Sequence, residues 1–395
     1  MPSKKMIRGL LAAALCASAL PAASRPPSHI PATPAPAVRP VPGMPPVVDA
    51  TNLYSEIVEG KISPTTAGHR ELVYVPHVQS DDVWVIDPKT LKVVDKYKVG
   101  LDPQHVVPSW DLQTLWVTNN SERDHKKGSL TPIDPKTGKP GKEILVHDPY
   151  NMYFSPDGQH AIVVEEAEKR LAFRDAKTME FKYFIETPQC KGVNHADFSI
   201  DGRYAVFTCE FAKTIAKVDL QERKVVGYLK MSRGGMPQDV RASPDGKRFY
   251  IADMLADGIF VVDFETFREV GFIQTGKGTH GLYPSRDGKK LYIANRGSNK
   301  IHGAKGGPGS VSVVDFATEK IDVTWPIPGG GSPDMGNVSA DGKQLWLSGR
   351  YDHVVYVFDT TTGAVRTIKV GIEPHGLTVW PQPGRYSLGH TGNMR

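Results

Sequence analysis

Short apolar runs with alternating polar positions recur along the chain from about residue 72 onward. They are four to seven residues long and rich in Val, Ile, Tyr and Phe, as in residues 92–97 (KVVDKY) and 248–252 (RFYIA), and Asp-Gly or Thr-Gly pairs separate many of them. Such runs predict β-strands joined by tight hairpins. No segment of 12 or more residues beyond residue 24 shows a helical period. The pattern therefore predicts an all-β protein.

Two markers repeat along these strands. Ser-x-Asp-Gly begins at residues 155, 199, 243, 285 and 339, with intervals of 42 to 54 residues and a weaker copy at Ser109. Apolar alternation that ends on an aspartate occurs seven times, at Asp87, Asp134, Asp175, Asp219, Asp263, Asp315 and Asp359. A repeat of about 44 residues with four antiparallel strands is typical of a β-propeller blade.

The number of repeats predicts a seven-bladed β-propeller of four-stranded antiparallel blades. Counting from Leu72 gives seven units of second, third, fourth and inner strand, and the last inner strand, 376–379, has no later partner. It can close the ring on residues 72–75, which removes the two open edges of a linear array. Eight blades are the alternative, because residues 385–388 resemble another second strand and residues 48–66 could complete that blade.

The repeats resemble a known family. Residues 291–295 (LYIAN), residues 115–119 (LWVTN) and the Ser-Pro-Asp-Gly elements are similar to the Tyr-Val-Thr-Asn type β-propeller repeat proteins, which are exported by bacteria and archaea. The resemblance covers residues 72–380 and implies a seven-bladed ring. It implies no single reaction. Its relatives in fold include lactone hydrolases, haem-associated propellers and the copper-bearing propeller of nitrous oxide reductase.

The N-terminal region predicts an exported protein. Residues 1–24 combine basic residues, a short apolar core and small residues, which is the order of a secretory signal peptide. Residues 25–47 are rich in proline and alanine and predict an extended linker. Residues 48–395 then form a single β-propeller domain. We expect a periplasmic or secreted protein with no transmembrane segment after cleavage of the signal peptide.

Charge and composition narrow the class of partner. The formal charge of +5 arises from 48 basic and 43 acidic residues that are interspersed, so no basic stripe predicts binding to nucleic acid. The 38 glycines and 32 prolines predict many turns. We expect a monomer whose partner is a small molecule or an envelope protein.

A polar residue precedes each serine marker by four or five positions. In an array of blades these positions lie where the inner strands enter the central channel, and function on repeat scaffolds usually sits on such converging segments. Four of the 13 histidines belong to the set, which is His105, Asn151, His195, Gln238 with Asp239, His280, Asp334 and, by alignment of the last unit, His375.

The second strands end at the same predicted mouth, and most of them end on polar residues. Arg296 and Arg350 offer forked donors for a carboxylate or phosphate, and a carboxylate between histidines could act as a general base. The full set is His77, Asn119, Asn120, Glu165, Glu166, Cys209, Glu210, Asp253, Asn295, Arg296 and Arg350.

Three interpretations of this polar mouth remain open from the sequence. The ring of His105, His195, His280 and His375 could hold Zn or Cu, since imidazole is the commonest transition-metal ligand, or it could grip an anion if protonated. It could bind a small organic ligand together with the aspartates and arginines. It could also line a water-filled channel with no ligand.

The chain has none of the common catalytic motifs. Gly-x-Ser-x-Gly, His-Glu-x-x-His, a phosphate-binding loop and Cys-x-x-Cys-His do not occur. We therefore expect an exported binding module that recognises a small ligand, a metal or an envelope partner at the His-rich mouth. The alternative is a metal-assisted, lactonase-like hydrolase that uses the same His and Asp residues, and whether the protein is an enzyme stays open. In a third interpretation the propeller is structural or adhesive and the histidines are dispensable.

Cys190 and Cys209 flank a predicted hairpin. Paired residues of a hairpin have a constant index sum, which is 399 for the two cysteines and 401 to 403 for a turn near residues 200–201. We therefore expect them opposite each other or one step out of register, close enough for a disulfide. The alternatives are two reduced thiols or a Cys-His metal site with His195.

Overall fold

The structure is a computed structural model that describes residues 38–122, 124–390 and 392–395. The predicted signal peptide, and the predicted linker as far as residue 37, lie outside the described residues. Residues 38–47 contact the domain, since Val41 N donates to Asp201 O at 2.9 Å. The part of the chain that the structure describes contains no helix with the length and apolarity that a membrane crossing requires.

Seven antiparallel sheets form the blades of the propeller, which confirms the predicted fold class. Blade 1 contains β1 (Leu72–His77), β2 (Asp82–Asp87), β3 (Lys92–Lys98) and β29 (Thr378–Trp380). Blade 2 contains β4 (Pro103–Pro108), β5 (Leu115–Asn119), β6 (Ser129–Asp134) and an outer strand split into β7 (Lys139–Pro140) and β8 (Ile144–Leu145). Blade 3 contains β9 (Pro149–Phe154), β10 (His160–Glu165), β11 (Arg170–Asp175) and β12 (Phe181–Glu186).

The other four blades follow in chain order. Blade 4 contains β13 (Val193–Phe198), β14 (Tyr204–Cys209), β15 (Thr214–Asp219) and β16 (Lys224–Lys230). Blade 5 contains β17 (Pro237–Ala242), β18 (Arg248–Asp253), β19 (Gly258–Asp263) and β20 (Arg268–Gln274). Blade 6 contains β21 (Thr279–Pro284), β22 (Lys290–Asn295), β23 (Ser310–Asp315) and β24 (Lys320–Pro326). Blade 7 contains β25 (Pro333–Val338), β26 (Gln344–Gly349), β27 (Val354–Asp359) and β28 (Val365–Lys369). The described residues also form two 3-10 helices, Pro64–Thr66 and His125–Lys127.

The ring closes as the repeat predicts. β29, from the C-terminal end of the repeat, pairs with β1, with Val73 opposite Val379 and Tyr74 opposite Thr378. Residues 385–388 form no strand of an eighth blade. Ser387 instead bridges Met394, and Gly389 bridges Tyr153 on an inner strand.

The Ser-x-Asp-Gly marker is a local turn between an inner and a second strand. In blade 5, Ser243 Oγ donates to Asp245 Oδ1 at 2.6 Å and accepts from Arg248 N at 2.9 Å. Gly246 adopts a φ of +68°, the left-handed region that glycine enters without steric cost. These hydrogen bonds satisfy backbone groups within the turn itself. The same serine, aspartate and glycine therefore recur in every blade that uses this turn.

The strands differ in burial with their place in the blade. The inner strand β4 is buried at all six positions, whereas the outer strand β3 alternates between exposed and partly exposed positions. Inner strands lie between neighbouring blades and the channel, and outer strands face water on one side, which explains their polar alternation. The inner strands therefore hold the buried polar side chains.

The cysteines meet across the end of a hairpin. The hairpin has the predicted register, since Val193 pairs with Cys209 and Ala196 with Phe207, with index sums of 402 and 403. The prediction that Cys190 lies opposite Cys209 or one step away is wrong, because Cys190 lies three residues before the partner of Cys209. Cys190 lies in the turn before β13, where its N–H bonds Thr187 O at 2.8 Å. From there it reaches Cys209 with the two Cα atoms 4.8 Å apart, and the structure places a disulfide between them.

Candidate functional site

A β-bulge sits at the same place in the inner strands. In blade 5, Pro237 pairs with Asp253 but Val240 pairs with Ile251, so two inner residues lie opposite one residue of β18. The same one-residue shift occurs in blades 2, 3, 4, 6 and 7, and the pairs of blade 1 show it as well. A bulge re-aims side chains and is common beside functional sites.

Because of the bulge, two consecutive positions of each inner strand face the channel, and all of them except Gly281 and Gly376 carry a side chain. The sequence predicted one radial position for all seven polar residues, and this prediction is wrong. We count the positions of each inner strand from the residue that pairs with the last residue of the second strand. The second position forms the upper layer, which is the one nearer the predicted mouth and consists of Gln104, Tyr150, Asn194, Gln238, His280, Asp334 and His375. The third position is the lower layer, and it consists of His105, Asn151, His195, Asp239, Gly281, Met335 and Gly376.

Three imidazoles meet in the lower layer. The ring centroids of His105 and His195 are 5.4 Å apart, and that of His390 lies 4.8 Å from the first and 4.5 Å from the second. One nitrogen of each ring lies within 4.8 Å of the other two. All three side chains are fully buried. We call His105, His195 and His390 the histidine trio.

Two members of the trio lack hydrogen bonds. Among the described residues, neither ring nitrogen of His105 has a hydrogen-bond partner, and the ring of His195 has only an interaction with the backbone carbonyl of Gln238 that falls short of hydrogen-bond geometry. His390 differs, since Asn151 Nδ2 lies 3.2 Å from its Nδ1 and Asp239 Oδ1 lies 3.9 Å from its Nε2. Buried polar groups are nearly always paired, so the unpaired nitrogens require an explanation.

A second cluster lies in the upper layer around Asp334. His280 Nδ1 is 3.0 Å from Asp334 Oδ1, and His375 Nε2 is 3.5 Å from Asp334 Oδ2. Arg296 donates to Asp334 Oδ1 from Nη2 at 2.7 Å and from Nε at 3.1 Å, and it also contacts His280 Nε2. The ring of His375 lies 4.7 Å from that of His105, so the two clusters touch.

Arg350 completes the cluster from blade 7. Its Nη1 lies 3.8 Å from Asp334 Oδ2, while its Nη2 lies 2.9 Å from Glu373 Oε1. Two arginines thus face two carboxylates, and the formal charges of these four groups cancel. The second cluster could also ligate a metal through His280, Asp334 and His375, since Asp334 Oδ2 and both ring nitrogens of His375 have no hydrogen-bond partner among the described residues. Arg296 and Arg350, however, place two positive charges beside Asp334 and disfavour a cation there.

Burial sets the protonation of the histidines. It lowers the pKa of His105 to about 3 and, with help from Arg296, that of His280 to about 4. It also holds the pKa values of His195, His375 and His390 well below the usual range. All five imidazoles are therefore neutral at pH 7, which is the state that binds metal ions.

Burial and charge act in opposite directions on the two aspartates. Burial alone would raise the pKa of Asp334, but Arg296 and the neighbouring histidines outweigh it and hold that pKa well below the usual range. Burial raises the pKa of Asp239 to about 6, although Arg241 opposes the shift. Asp334 is thus a fixed negative charge, while Asp239 is close to its titration point at neutral pH.

The residues at the ends of the second strands fall into two groups. The last residue of each strand pairs inside the blade, as Asn119 does by donating to Ser129 Oγ at 3.0 Å. The next residue belongs to the mouth ring, the set of residues that directly follow the second strands. It comprises Val78, Asn120, Glu166, Glu210, Met254, Arg296 and Arg350. Two acidic residues therefore come from blades 3 and 4, and two arginines come from blades 6 and 7.

The C-terminal segment occupies the other end of the channel. Arg395 Nη2 lies 2.6 Å from Asp197 Oδ1, and Asn393 Nδ2 donates to the same atom at 3.2 Å. Ser387 Oγ donates to Pro108 O at 3.0 Å. These contacts hold the segment against the inner strands, and so His390 reaches the lower layer from below.

Comparison with known proteins places this architecture in a family. The profile of the YncE-like β-propeller family matches residues 70–383. The chain belongs to this family. It is 24% identical to a Salmonella typhi protein named only "Uncharacterized protein YncE" over 283 residues, which are 67% of this chain and 74% of that protein. This agrees with the Tyr-Val-Thr-Asn type resemblance.

Solved structures share the fold of this YncE-like propeller. The periplasmic gluconolactonase of Pseudomonas aeruginosa matches with a TM-score of 0.63 and 18% identity, over 78% of this chain and 98% of that one. Hydrazine synthase of Kuenenia stuttgartiensis matches with a TM-score of 0.57 and 20% identity, over 70% of this chain and 90% of that one. At such identities the likeness shows the fold alone.

The sequence identified most residues of the site but missed His390. The structure places all nine predicted binding residues at the channel, in the two layers and the mouth ring. His390 was missed because it follows the last repeat and has no equivalent in any blade. Tyr150 was also missed, although its alignment with His280 and Asp334 after allowance for the bulge would have indicated it.

Proposed function

We propose that this YncE-like propeller is a binding module for a transition-metal ion, copper or zinc, held by the histidine trio. The observation that carries the proposal is that His105 and His195 are fully buried and that none of their four ring nitrogens forms a hydrogen bond of good geometry among the described residues. Each unpaired buried polar group costs about 1–3 kcal/mol. A bound metal ion would offset that cost.

The donor set favours copper and zinc over harder cations. Three neutral imidazoles suit Cu, Zn, Fe or Ni, whereas Ca²⁺ and Mg²⁺ need oxygen ligands. Among divalent ions, Cu²⁺ binds a given nitrogen site most tightly. Asp239 places a carboxyl group beside the trio, with its Oδ1 3.9 Å from His390 Nε2, and Arg241 faces the same carboxyl group at 3.7 Å.

Metal binding by the whole chain tests the proposal. Chelator-treated protein is titrated with Zn²⁺ and with Cu²⁺ in the presence of a weak competing chelator, and bound metal is counted by elemental analysis after gel filtration. We expect one ion per chain in the wild type and none in His105→Ala/His195→Ala. His302→Ala, at an exposed histidine, is the matched control and should bind as the wild type does. A folded double variant that retains one ion per chain would contradict the proposal.

A metal-assisted hydrolase, lactonase-like, is the second candidate. Three protein ligands leave a fourth position open, which is how catalytic zinc sites are built. A gluconolactonase also shares the fold. Turnover of a simple lactone by metal-loaded protein, lost on chelation and restored by the metal, would favour this candidate. Metal binding without turnover of the lactone would instead support the function as a binding module.

A further inference from the structure

Two threonines contact the backbone of the histidines that blades 2 and 4 contribute to the trio. Thr118 of β5 lies opposite His105, and Thr208 occupies the equivalent place in β14, opposite the bulge that contains His195. Both threonine side chains are fully buried. They lie where the bulge interrupts the regular pairing of backbone groups between inner and second strand. A polar side chain at this place can therefore hold the bulge in one geometry.

The hydroxyl group of Thr118 joins the bulge of blade 2 to the inner strand of blade 3. Its Oγ1 accepts from His105 N at 3.2 Å and donates to Tyr150 O at 3.1 Å. A hydroxyl group has one donor and two acceptor sites, so it can make both hydrogen bonds at once. The first bond fixes the backbone of His105, and the second ties it to the neighbouring blade.

The hydroxyl group of Thr208 makes the same two bonds between blades 4 and 5. Its Oγ1 accepts from His195 N at 3.0 Å and donates to Gln238 O at 2.6 Å. The carbonyl of Gln238 also faces the His195 ring. Histidine ligands commonly direct their second ring nitrogen at a backbone carbonyl, which fixes the orientation of the ring. Thr208 thus holds both the backbone of His195 and the carbonyl beside its ring.

Threonine occupies this place only in the two blades whose inner strands supply a histidine to the lower layer. The place is the penultimate residue of the second strand, and in the other five described blades it holds Pro76, Val164, Ala252, Ala294 and Ser348. Of these five residues only Ser348 has a hydroxyl group, which donates to His375 O. The threonines therefore coincide with the histidines and not with the strand position as such.

We infer that Thr118 and Thr208 are positioning residues of the proposed metal site, whose hydroxyl groups hold the bulges that aim His105 and His195 at one ion. The inference rests on the proposed metal function and goes beyond it by assigning a role to two residues that are not ligands. Both imidazoles are buried without a hydrogen bond of good geometry among the described residues, so their direction depends on the backbone that carries them. Partners that orient metal ligands typically contribute about 10- to 100-fold to metal affinity.

Removal of the two hydroxyl groups tests the inference. Thr118→Val/Thr208→Val keeps the branched shape of both side chains, whereas Thr118→Ser/Thr208→Ser keeps the hydroxyl groups. The Zn²⁺ affinity of the full-length chain is measured by competition with a chromophoric chelator, and the Cu²⁺-loaded protein is measured by electron paramagnetic resonance. We expect the valine variant to lose at least about 10-fold in Zn²⁺ affinity and to change the Cu²⁺ spectrum. The serine variant should keep the affinity and the spectrum of the wild type.

Thr187→Val is the matched control for the loss of a buried hydroxyl group. Thr187 directly follows β12 and is fully buried, and its Oγ1 donates to Lys169 O at 2.7 Å. This variant loses a hydrogen bond to a backbone carbonyl, so its urea midpoint should fall as that of the valine variant does. Its Zn²⁺ affinity and Cu²⁺ spectrum should stay at the wild-type values, which a purely structural role of Thr118 and Thr208 would also predict for their own variants.

Three results would overturn the inference. An unchanged affinity and spectrum in the folded valine variant would show that the threonines do not position the ligands, and the metal site would stand. An equal loss of affinity in Thr187→Val would show that any loosening of the propeller weakens the site. A wild type that binds no metal would overturn the proposed function and the inference with it. If the double valine variant does not fold, each single valine variant makes the same comparison at one histidine.

Discussion

Gly376 and His105 lie side by side on the inner segments of blades 1 and 2. Gly376 N donates to Gln104 O at 2.8 Å, and Val106 N donates to Gly376 O at 2.9 Å. A Cβ atom on Gly376 would overlap His105 Nδ1. The glycine therefore leaves the space that the imidazole fills.

Gly376→Ala should weaken metal binding without altering any ligand. The added methyl group has to displace the His105 ring, and we expect a loss of at least about 10-fold in affinity, as for changes next to metal ligands. The overpacking should also cost about 1–3 kcal/mol of stability. Isothermal titration measures the affinity. Gly271→Ala is the control, because its Cβ would meet Val261 Cβ at an ordinary 3.5 Å. Wild-type affinity in Gly376→Ala would argue against His105 as a ligand.

Asp334→Asn should destabilise the propeller strongly. The substitution keeps the shape of the side chain but leaves Arg296 buried without its counter-charge, and breaking a buried pair costs about 3–5 kcal/mol. Urea denaturation gives the free energy of unfolding. Glu71→Gln breaks the exposed pair between Glu71 Oε2 and Lys89 Nζ, which are 2.7 Å apart, and should hardly change the free energy of unfolding because water screens the two charges. A similar loss in free energy of unfolding for both variants would show that water screens the charge of Asp334 as it screens an exposed pair.

Stability should fall in mild acid. The five channel histidines have lowered pKa values in the folded state, so below about pH 6.5 the unfolded chain binds protons that the folded chain excludes. The loss continues downward to the folded values, about 3 for His105 and about 4 for His280. Each histidine contributes up to about 1.4 kcal/mol per pH unit in this window.

Urea midpoints of the metal-free protein between pH 7.5 and 5 measure this effect. His105→Leu/His195→Leu removes two of the titrating groups and should flatten the decline. The double variant should also be at least as stable as the wild type at pH 7.5, because leucine has no polar atom to leave unpaired. Asp239 and Asp148, whose pKa values are raised to about 6, act in the opposite sense and offset part of the decline. A double variant that loses stability as steeply as the wild type between pH 7.5 and 5 would therefore contradict the assigned neutral state.

Cys190→Ser/Cys209→Ser should lower the free energy of unfolding by about 3 kcal/mol. The bond closes a loop with a sequence separation of 19 residues, and a loop of this length gives about that value by chain entropy. An oxidising compartment, expected from the predicted signal peptide, would let the bond form. Mass measurement after alkylation checks the pairing. Two thiols that react without reductant would show that the bond is absent.

The sequence alone determined the blades. Ser243, Asp245 and Gly246 build their turn from contacts within a few residues, and the aspartates that end the third strands do the same, as Asp263 Oδ1 does by accepting from Thr266 N at 2.9 Å. Such local chemistry repeats wherever the residues repeat. The strand order, the number of blades and the closure by the last inner strand followed from it.

Only the tertiary structure decided how the polar residues meet. The bulge that separates His195 from His280 into two layers depends on pairing between inner and second strands, and a one-residue shift leaves no mark in the spacing of the repeats. His390 joins the trio from outside the repeat because the C-terminal segment binds Asp197 across the channel. These contacts join residues far apart in sequence, so they exist only once the ring has closed.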